Sequence, residues 1–347
     1  MYTVTLDSFV VPVRYAEEAA LYIKKDYTYD IGLRKKHPNR KRTVIGVSLP
    51  TQREERWVRD KDTMESYAKE KGVALKIEIA DFDSAKQVSQ VEKLISQGID
   101  ALILVPIDQS ITAELADKAH KAGIKVISYE ELIQNSYLDM NVAFNKLRVG
   151  ELQGGFLVKK VPKGNYIIMY GDPDTVFKEG AMEYIQPLAN IGNIKIVADK
   201  PIKNWDPKIA YNIVKEALIA NKNKIDAILA PNDATAGAAI EALKEQGLAG
   251  KVAVTGQDAE LAAVRRIIQG TQSMTVFKDT RELASRAIDV AIKLVNGESI
   301  TADTKVNNGK MDVPSILISS VIIDSYNIRS VLINSGYLKA EDVYRRK

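Results

Sequence analysis

The sequence predicts an α/β protein made of two lobes, each built on its own parallel sheet. Apolar runs of strand length alternate with segments of helical periodicity from Val44 onward, and this alternation is typical of parallel sheets. One strand–loop–helix unit occurs twice, as IDALILVPID at residues 99–108 and as IDAILAPND at residues 225–233. The length of 347 residues and the apolar share of 46% suffice for two packed cores.

The first half of this alternation contains four predicted strands. Ser84 and Gln87 fit a capping box at the start of a helix, and Gly98 follows that helix as its stop. Another helix is predicted across Thr63 to Lys71, after a loop that holds the charged run from Arg53 to Trp57. The predicted strands are residues 44–49, 74–80, 101–105 and 125–129.

The second half repeats the pattern with five further strands. A helix is predicted over 208–220, and another follows Asn232 and Asp233 until Gly247 ends it. Asn232 and Asp233 stand at the carboxyl end of their strand, where open α/β sheets bind ligands. The predicted strands are residues 165–170, 194–198, 227–230, 252–255 and 274–277.

Residues 1–43 form a separate predicted segment. Pro12 fits the first position of a helix that runs from about Val13 to Lys25. A basic cluster follows from Arg34 to Arg42. The segment fits three roles: a solvated linker, an arm that docks a partner chain, or a spacer next to a membrane.

The net charge of +4 lies entirely in this segment, because Lys and Arg balance Asp and Glu over the remaining residues. A broad nucleic-acid-binding face on the main body is therefore not expected. No apolar run is long enough to span a bilayer. The first residues lack the features of a signal peptide, so we expect any signal or anchor to be absent from this chain. The absence of cysteine excludes disulfides and thiolate metal sites.

Several enzyme classes lack their residues. Neither dinucleotide-binding nor phosphate-binding glycine motifs occur. The two histidines are His37, in the basic cluster, and His120, which fits an exposed helix end. No nucleophile elbow is present, and no carboxylate pair can be singled out for glycoside hydrolysis. The sequence therefore predicts no catalytic residue, no metal site and no cofactor.

Polar and aromatic residues recur where predicted strands end. Carboxylates accept hydrogen bonds from hydroxyls, cations and amides donate them, and indoles cover the C–H faces of a sugar ring. Each residue alone also fits a structural role, such as a helix cap at Asn232 or Asp233, a buried indole, or a surface lysine. As a set they predict a site for a small polyhydroxylated ligand. The candidates are Arg56, Trp57, Glu130, Glu131, Trp205, Asn232, Asp258 and Lys278.

Seven short stretches carry a resemblance to a known family. The chain resembles the type I periplasmic sugar-binding proteins of bacterial uptake systems, and among them the D-xylose-binding proteins, over about residues 44–340. The stretches are ERW at 55–57, VGELQ at 149–153, NDATAG at 232–237, GQDA at 256–259, TVFK at 275–278, NNG at 307–309 and DVPS at 312–315.

The resemblance implies an extracytoplasmic, non-enzymatic protein of two Rossmann-like lobes joined by a three-stranded hinge. Arg56 and Trp57 would lie on one side of a pentose and Trp205 on its other face. Asn232, Asp258 and Lys278 would bond its hydroxyls and ring oxygen, and Asp233 would do no more than start its helix.

The implied lobes follow the N-terminal arm of residues 1–43. The N-terminal lobe is 44–145 plus 278–313, and the C-terminal lobe is 146–277 plus 314–347. The chain would cross between them near 144–146, near 277–279 and between 313 and 323.

Two stretches depart from the family pattern. Glu130 and Glu131 stand where xylose binders carry an Asp-Arg pair, so a donor is replaced by an acceptor. The loop from Gly171 to Lys178 is shorter and lacks an asparagine that reaches the sugar. A pentose other than xylose, or weaker affinity, therefore remains open.

Two membrane partners that recognise the sugar-bound form are consistent with the sequence. One is an ABC permease, and the other is a membrane sensor such as a histidine kinase, which would bind through residues 1–43. A transcription regulator of the lactose-repressor type has the same two-lobed body. It would need a helix-turn-helix in residues 1–43, where only one helix is predicted. A sugar-processing enzyme is the remaining alternative.

Overall fold

The structure is a computed structural model that describes residues 27–28, 42–172 and 176–345. The predicted helix at 13–25, the basic cluster before Arg42 and His37 lie outside the described residues. The strands are β1 Tyr27–Thr28, β2 Val44–Leu49, β3 Ala74–Ile79, β4 Ala101–Leu104, β5 Lys125–Tyr129, β6 Met140–Phe144, β7 Gly164–Asp172, β8 Ile194–Lys203, β9 Ala227–Leu229, β10 Ala253–Val254, β11 Thr275–Phe277, β12 Thr301–Ala302, β13 Thr304–Asn307, β14 Asp312–Ile318 and β15 Val321–Ile323. The helices are α1 Glu55–Glu70, α2 Ser84–Ser96, α3 Gln109–Lys121, α4 Lys146–Lys160, α5 Val176–Asn190, α6 Pro207–Ala220, α7 Asp233–Glu245, α8 Leu261–Ile268, α9 Thr280–Asn296 and α10 Ala340–Val343.

Internal contacts divide the described chain into two units. Unit 1 comprises Lys61–Ala143, Ala284–Leu317 and the described residues up to Thr51. Unit 2 comprises Gln52–Asp60, Phe144–Leu283 and the residues from Ile318 onward. The two units and the predicted lobes differ most at Gln52–Asp60, which the predicted division assigns to the N-terminal lobe and which groups with unit 2.

Unit 1 contains a seven-stranded sheet in the order β13-β14-β6-β5-β4-β2-β3. Strands β3, β2, β4, β5 and β6 are parallel, and β13 and β14 form an antiparallel pair. The strand order reverses at β2, which pairs with β3 on one side and with β4 on the other. The loop after β2 therefore starts at a topological switch point, where ligands of open α/β sheets bind.

The core of unit 1 follows from side-chain alternation along its strands. Leu102 and Leu104 of β4 face the same way and pack in one cluster with Leu94 of α2 and Leu115 of α3. The predicted capping box of α2 is wrong, because Asp83 is the N-cap and accepts from the backbone of Lys86. The buried Gln87 side chain instead donates to Ser48 Oγ at 3.1 Å and to the carbonyl of Val105 at 2.8 Å.

Unit 2 contains a four-stranded parallel sheet in the order β10-β9-β7-β8. Its switch point lies between β7 and β9, because β7 is followed along the chain by β8 on its other side. A second pair, β11 and β15, is antiparallel. A parallel bridge between Gln257 and Val276 joins β11 to the loop that follows β10.

The sheet of unit 2 is covered by helices on both faces. Ile167 and Ile228 pack with Val214 of α6 and Ile240 of α7. The alternate residues Ile168 and Leu229 pack in the other cluster, with Val149 of α4 and Ile185 of α5. Both faces are buried, so these strands appear in the sequence as continuous apolar runs.

Two glycines let α4 approach α5 closely. A Cβ atom at Gly150 would lie 1.9 Å from the carbonyl oxygen of Phe177, and one at Gly154 would lie 2.4 Å from that of Ala181. Such distances to main-chain atoms cannot be relieved by a side-chain movement. The glycine of the VGELQ stretch is therefore required by helix packing.

We expect Gly150→Ala to lower the free energy of unfolding by about 3 kcal/mol, since the two helices must separate. Gly155→Ala is the matched control on the same helix, because a Cβ there would lie 3.4 Å from its nearest atom, in the ring of Tyr184. That variant is expected within about 1 kcal/mol of the wild type. Urea denaturation measures both, and equal effects would contradict the close-packing argument.

Candidate functional site

Helix α1 begins at Glu55 rather than near Thr63. Arg56 and Trp57 therefore lie in its first turn, and the prediction that they belong to a loop is wrong. Two ion pairs at i,i+4 spacing support this turn, Glu55 with Arg59 and Arg56 with Asp60. Charged residues that the sequence analysis assigned to a loop thus form helix-stabilising pairs.

Arg56 is held from two directions. Its Nη2 and Nε donate to Asp60 Oδ2 at 3.0 and 3.3 Å, and its Nη1 lies 4.0 Å from Asp258 Oδ1. The guanidinium carbon lies 4.2 Å from the centroid of the Trp57 ring. Arg56 is only 5% exposed and Trp57 only 9%, so a buried cation stacks on an indole here.

Asp258 and Lys278 form the second part of the site. Asp258 lies in the loop after β10 with a φ of 98°, and its amide donates to the carbonyl of Val276 at 2.8 Å. Lys278 directly follows β11, and its Nζ lies 3.1 Å from Asp258 Oδ1. Both are 4% exposed. This contact is an ion pair without hydrogen-bond geometry, so within the described residues Asp258 Oδ1 accepts no hydrogen bond.

Asn232 is the N-cap of α7. Its Oδ1 accepts from the amide of Thr235 at 2.9 Å and from the Thr235 hydroxyl at 2.7 Å. The Asn232 amide in turn donates to Thr235 Oγ1 at 3.2 Å, which completes a capping box. The side-chain oxygen is therefore committed to the helix, and the side-chain nitrogen remains available as a donor.

Asp233 has a structural role beyond the start of this helix. The expectation that it only starts the helix is therefore wrong. Asp233 is fully buried, and its carboxylate accepts from Gln272 Nε2 at 2.7 Å, Thr275 Oγ1 at 2.9 Å and the amide of Glu260 at 3.0 Å. Its own amide donates to the carbonyl of Gln257 at 3.0 Å. Asp233 is thus hydrogen-bonded to both ends of the loop that carries Asp258, at Gln257 and at Glu260.

Trp205 lies in the loop after β8, with its ring against the carboxyl end of β7. It precedes α6 with a φ of 54°, and a Cβ atom at Gly171 would lie 2.3 Å from its ring. The ring therefore lies directly on the main chain of β7. Arg53 Nη2 donates to the carbonyl oxygens of Asn204 and Trp205 at 2.8 and 3.3 Å, so the segment before α1 contacts this loop.

Glu130 and Glu131 lie in unit 1, directly after β5. Glu130 has a φ of 63° and is 6% exposed, and its amide donates to the carbonyl of Val142 at 2.9 Å. Glu131 is half-buried, and its carbonyl accepts from Ser128 Oγ at 2.6 Å. The short loop predicted at 171–178 falls partly outside the described residues, and Val176 to Lys178 belong to α5.

Contacts within unit 2 thus bring together Arg56, Trp57, Asp258 and Lys278. The sequence analysis missed Asp60, although its spacing of four residues from Arg56 is a usable signal. It also missed Tyr337, whose hydroxyl donates to the carbonyl of Asp258 at 3.4 Å. No local pattern points to Tyr337, because its partner is far away along the chain.

Two acids at the Asp258 loop, the buried Asp233 and the half-buried Glu260, have raised pKa values. Burial raises the pKa of Asp233 to about 7, with Asp258 adding to the rise and Arg266 opposing it. Burial likewise raises the pKa of Glu260 to about 8, with Asp233, Asp258 and Glu55 adding and Arg266 opposing. Both values lie above the ordinary 3.8 and 4.5, so the folded chain binds protons that the unfolded chain releases.

The free energy of unfolding is therefore expected to fall between pH 5 and pH 8, by about 3 kcal/mol for each of the two acids. The contribution of these acids is fully present below their unfolded pKa values and is lost as the pH rises through 7 and 8. Glu260→Gln should flatten this slope, whereas Glu70→Gln, at an exposed position of α1, should not. Urea denaturation across the pH range measures the slopes, and equal slopes for wild type and Glu260→Gln would contradict the assignment.

Two other features are absent from the described residues. No helix there is long and apolar enough to cross a membrane. No group of three or more histidine or carboxylate side chains there is placed to hold a metal ion. His120 lies in the last turn of α3, half-buried, with its ring stacked on that of Tyr137 at 5.3 Å.

Comparison with known proteins agrees with this architecture. The family model of the periplasmic binding protein domain matches residues 45–299. The D-xylose-binding periplasmic proteins of Haemophilus influenzae and Escherichia coli are 41% and 40% identical to the chain. The matches cover 86% and 87% of this chain and 92% and 93% of those proteins.

A solved structure is similar over nearly its whole length. The carbohydrate transporter solute binding protein from Chloroflexus aurantiacus, in complex with D-glucose, superposes with a TM-score of 0.82 at 36% identity. The match covers 87% of this chain and 98% of that one. These relatives are binding proteins rather than enzymes, and the predicted type I fold with parallel sheets is confirmed. The chain belongs to the periplasmic binding protein family.

Proposed function

We propose that the chain binds D-xylose, or a closely related monosaccharide, outside the cytoplasm and does not convert it. The observation that carries this proposal is the group of Arg56, Asp258 and Lys278 beside Trp57. Three charged side chains, each at most 5% exposed, stand at strand and helix ends next to an indole. Buried charges cost free energy unless they are paired and hydrogen-bonded. A bound sugar would supply hydrogen-bond partners to these three side chains.

The donors and acceptors match a sugar. Asp258 Oδ1 is a buried acceptor for a hydroxyl, and Lys278 and Arg56 are donors to hydroxyl or ring oxygens. The Asn232 side-chain nitrogen is a further donor. The indoles of Trp57 and Trp205 offer flat apolar surfaces for the C–H faces of a pyranose ring.

Glu130 and Glu131 are proposed as further hydroxyl acceptors. Two relatives at about 40% identity are named for D-xylose, and a structure at 36% identity holds D-glucose. D-Xylopyranose is D-glucopyranose without the hydroxymethyl group at C5. Discrimination between these two sugars therefore depends on the space and polarity around that one position.

Isothermal titration calorimetry with D-xylose, D-ribose, L-arabinose, D-glucose and D-galactose tests the ligand. We expect D-xylose to bind most tightly. The absence of binding heat with D-xylose would contradict the ligand assignment. Tighter binding of D-glucose than of D-xylose would show that the preferred ligand is a hexose.

In this proposal, sugar binding is coupled to a hinge movement between the two units, because a ligand shifts an equilibrium only by its different affinity for the two states. Small-angle scattering with and without D-xylose measures the coupling. A smaller radius of gyration with sugar is expected, and an unchanged one would contradict it.

The sugar-bound form is proposed to be read in the membrane by an ABC permease or a sensor kinase. Residues 1–43 have no counterpart in the family pattern and precede the matched region, which favours the kinase. A pull-down with the extracytoplasmic domain of each partner, with and without D-xylose, separates the two. Deleting residues 1–43 should weaken docking to the kinase and spare sugar binding, whereas sugar-dependent capture by the permease alone would contradict the sensing role.

A further inference from the structure

Glu54, the residue directly before α1, has a buried carboxylate that the sequence analysis did not assign to the site. It is 5% exposed. Its Oε1 accepts from Arg53 Nε at 2.6 Å. Its Oε2 is fully buried and accepts no hydrogen bond within the described residues. A buried acceptor left without a donor costs about 1–3 kcal/mol, so it requires an explanation.

The surroundings of Glu54 are those of the proposed sugar site. The amide of Trp57 donates to the Glu54 carbonyl at 3.1 Å. The same Arg53 that holds Oε1 also donates to the main chain at Trp205. Burial raises the pKa of Glu54, Arg53 opposes the rise, and the nearby charge of Asp258 adds to it. The Glu54 carboxylate is therefore held by the same guanidinium that bonds the main chain at Trp205, and it lies close enough to Asp258 for the charge of Asp258 to act on it.

We propose that Glu54 is a specificity-determining residue of the sugar site and that its Oε2 accepts a hydrogen bond from a sugar hydroxyl. This inference rests on the proposed function and adds a contact that the family resemblance does not assign. Oε2 of Glu54 and Oδ1 of Asp258 are then two buried acceptors that require two hydroxyl donors on one ligand. A sugar that lacks the hydroxyl facing Glu54 leaves that oxygen without a donor and is rejected.

Sugar binding is also expected to change the protonation of Glu54. A hydroxyl that donates to Oε2 stabilises the charged carboxylate, so sugar binding lowers a pKa that burial had raised. The charged groups that act on the carboxylate are Arg53 and Asp258. Over the pH range in which the carboxyl of the sugar-free protein titrates, sugar binding therefore releases a proton from Glu54, and affinity rises with pH.

The test is Glu54→Leu, which keeps a similar volume and removes the acceptor. We expect the affinity for D-xylose to fall about 10- to 100-fold while the stability of the sugar-free protein is unchanged or higher, since an unmatched buried acceptor is lost. A purely structural role would lower stability together with affinity. Glu70→Leu, at an exposed position at the end of α1, is the control and should change neither.

Monodeoxy analogues of D-xylose identify the contact. One analogue should bind the wild type more weakly than D-xylose does. The same analogue and D-xylose should bind Glu54→Leu with equal affinity, because the hydroxyl and the carboxylate act as a pair. Arg53→Gln should retain this pairing, since Oε2 is untouched. If Glu54→Leu does not fold, Glu54→Gln serves for the same comparison and should show a smaller loss. Calorimetry in buffers of different ionisation enthalpy should show proton release for the wild type only.

The inference would be overturned if folded Glu54→Leu bound D-xylose with wild-type affinity. It would also be overturned if wild type and variant lost the same affinity for every deoxy analogue. Either result would leave the proposed function intact. A wild-type chain that binds none of the sugars contradicts both.

Discussion

Replacing Asp258 with asparagine is expected to lower the affinity for D-xylose by at least about 100-fold, a loss of the size seen when one partner of a buried charge pair at a binding site is removed. Asp258 Oδ1 lies 3.1 Å from Lys278 Nζ and 4.0 Å from Arg56 Nη1. An amide at this position loses the charge that holds both cations and offers a weaker acceptor to the sugar. Calorimetry with D-xylose measures the effect.

The control for this variant is Asp62→Asn. Asp62 is exposed, and its contact with Lys61 spans 3.9 Å, so its loss should change neither affinity nor stability measurably. Lys278→Met is expected to weaken binding as well. The double variant should lose less than the sum of the two single losses, because both act on one ion pair. A folded Asp258→Asn protein with wild-type affinity would remove Asp258 from the site.

Asp233→Ala is expected to lower the free energy of unfolding by about 3–5 kcal/mol, the cost of opening a buried polar network. Three donors, from Gln272, Thr275 and the amide of Glu260, lose their acceptor. Since those donors fix the loop around Asp258, D-xylose affinity should fall as well. Urea denaturation followed by calorimetry on the folded variant measures both effects.

Asp83→Ala is the comparison for this variant. Asp83 caps α2 through one hydrogen bond from the amide of Lys86, so its removal should cost about 1 kcal/mol. Asp233→Asn should fall between the two alanine variants, because its oxygen can still accept from Glu260 and Thr275. Equal losses for Asp233→Ala and Asp83→Ala would show that Asp233 acts only as an ordinary helix-end residue.

The alternation of strands and helices could be predicted from sequence because both faces of the unit 2 sheet are buried. Ile167 and Ile168 face opposite clusters, so the strand is apolar throughout and its length alone marks it. The start of α1 could not be found in this way. Its first turn carries charged residues whose partners, Asp60 for Arg56 and the amide of Leu261 for Glu55, give it a buried and polar environment.

The members of the candidate site were predictable as types of residue at strand ends, but their pairing was not. Asp258 and Lys278 meet because the Gln257–Val276 bridge brings β11 to the loop after β10, and no local pattern encodes that bridge. The roles of Asn232 and Asp233 depend equally on distant partners. Glu54 was overlooked because a glutamate just before a helix is ordinarily exposed, and no local pattern marks its burial.

A crystal structure of the chain with D-xylose tests the central claim most directly. The proposed function predicts a pyranose with its C–H faces against Trp57 and Trp205. It also predicts hydrogen bonds of about 2.7–3.2 Å to Asp258, Lys278 and the side-chain nitrogen of Asn232. D-Xylose bound elsewhere, with Asp258 and Lys278 making no contact to it, would contradict the claim.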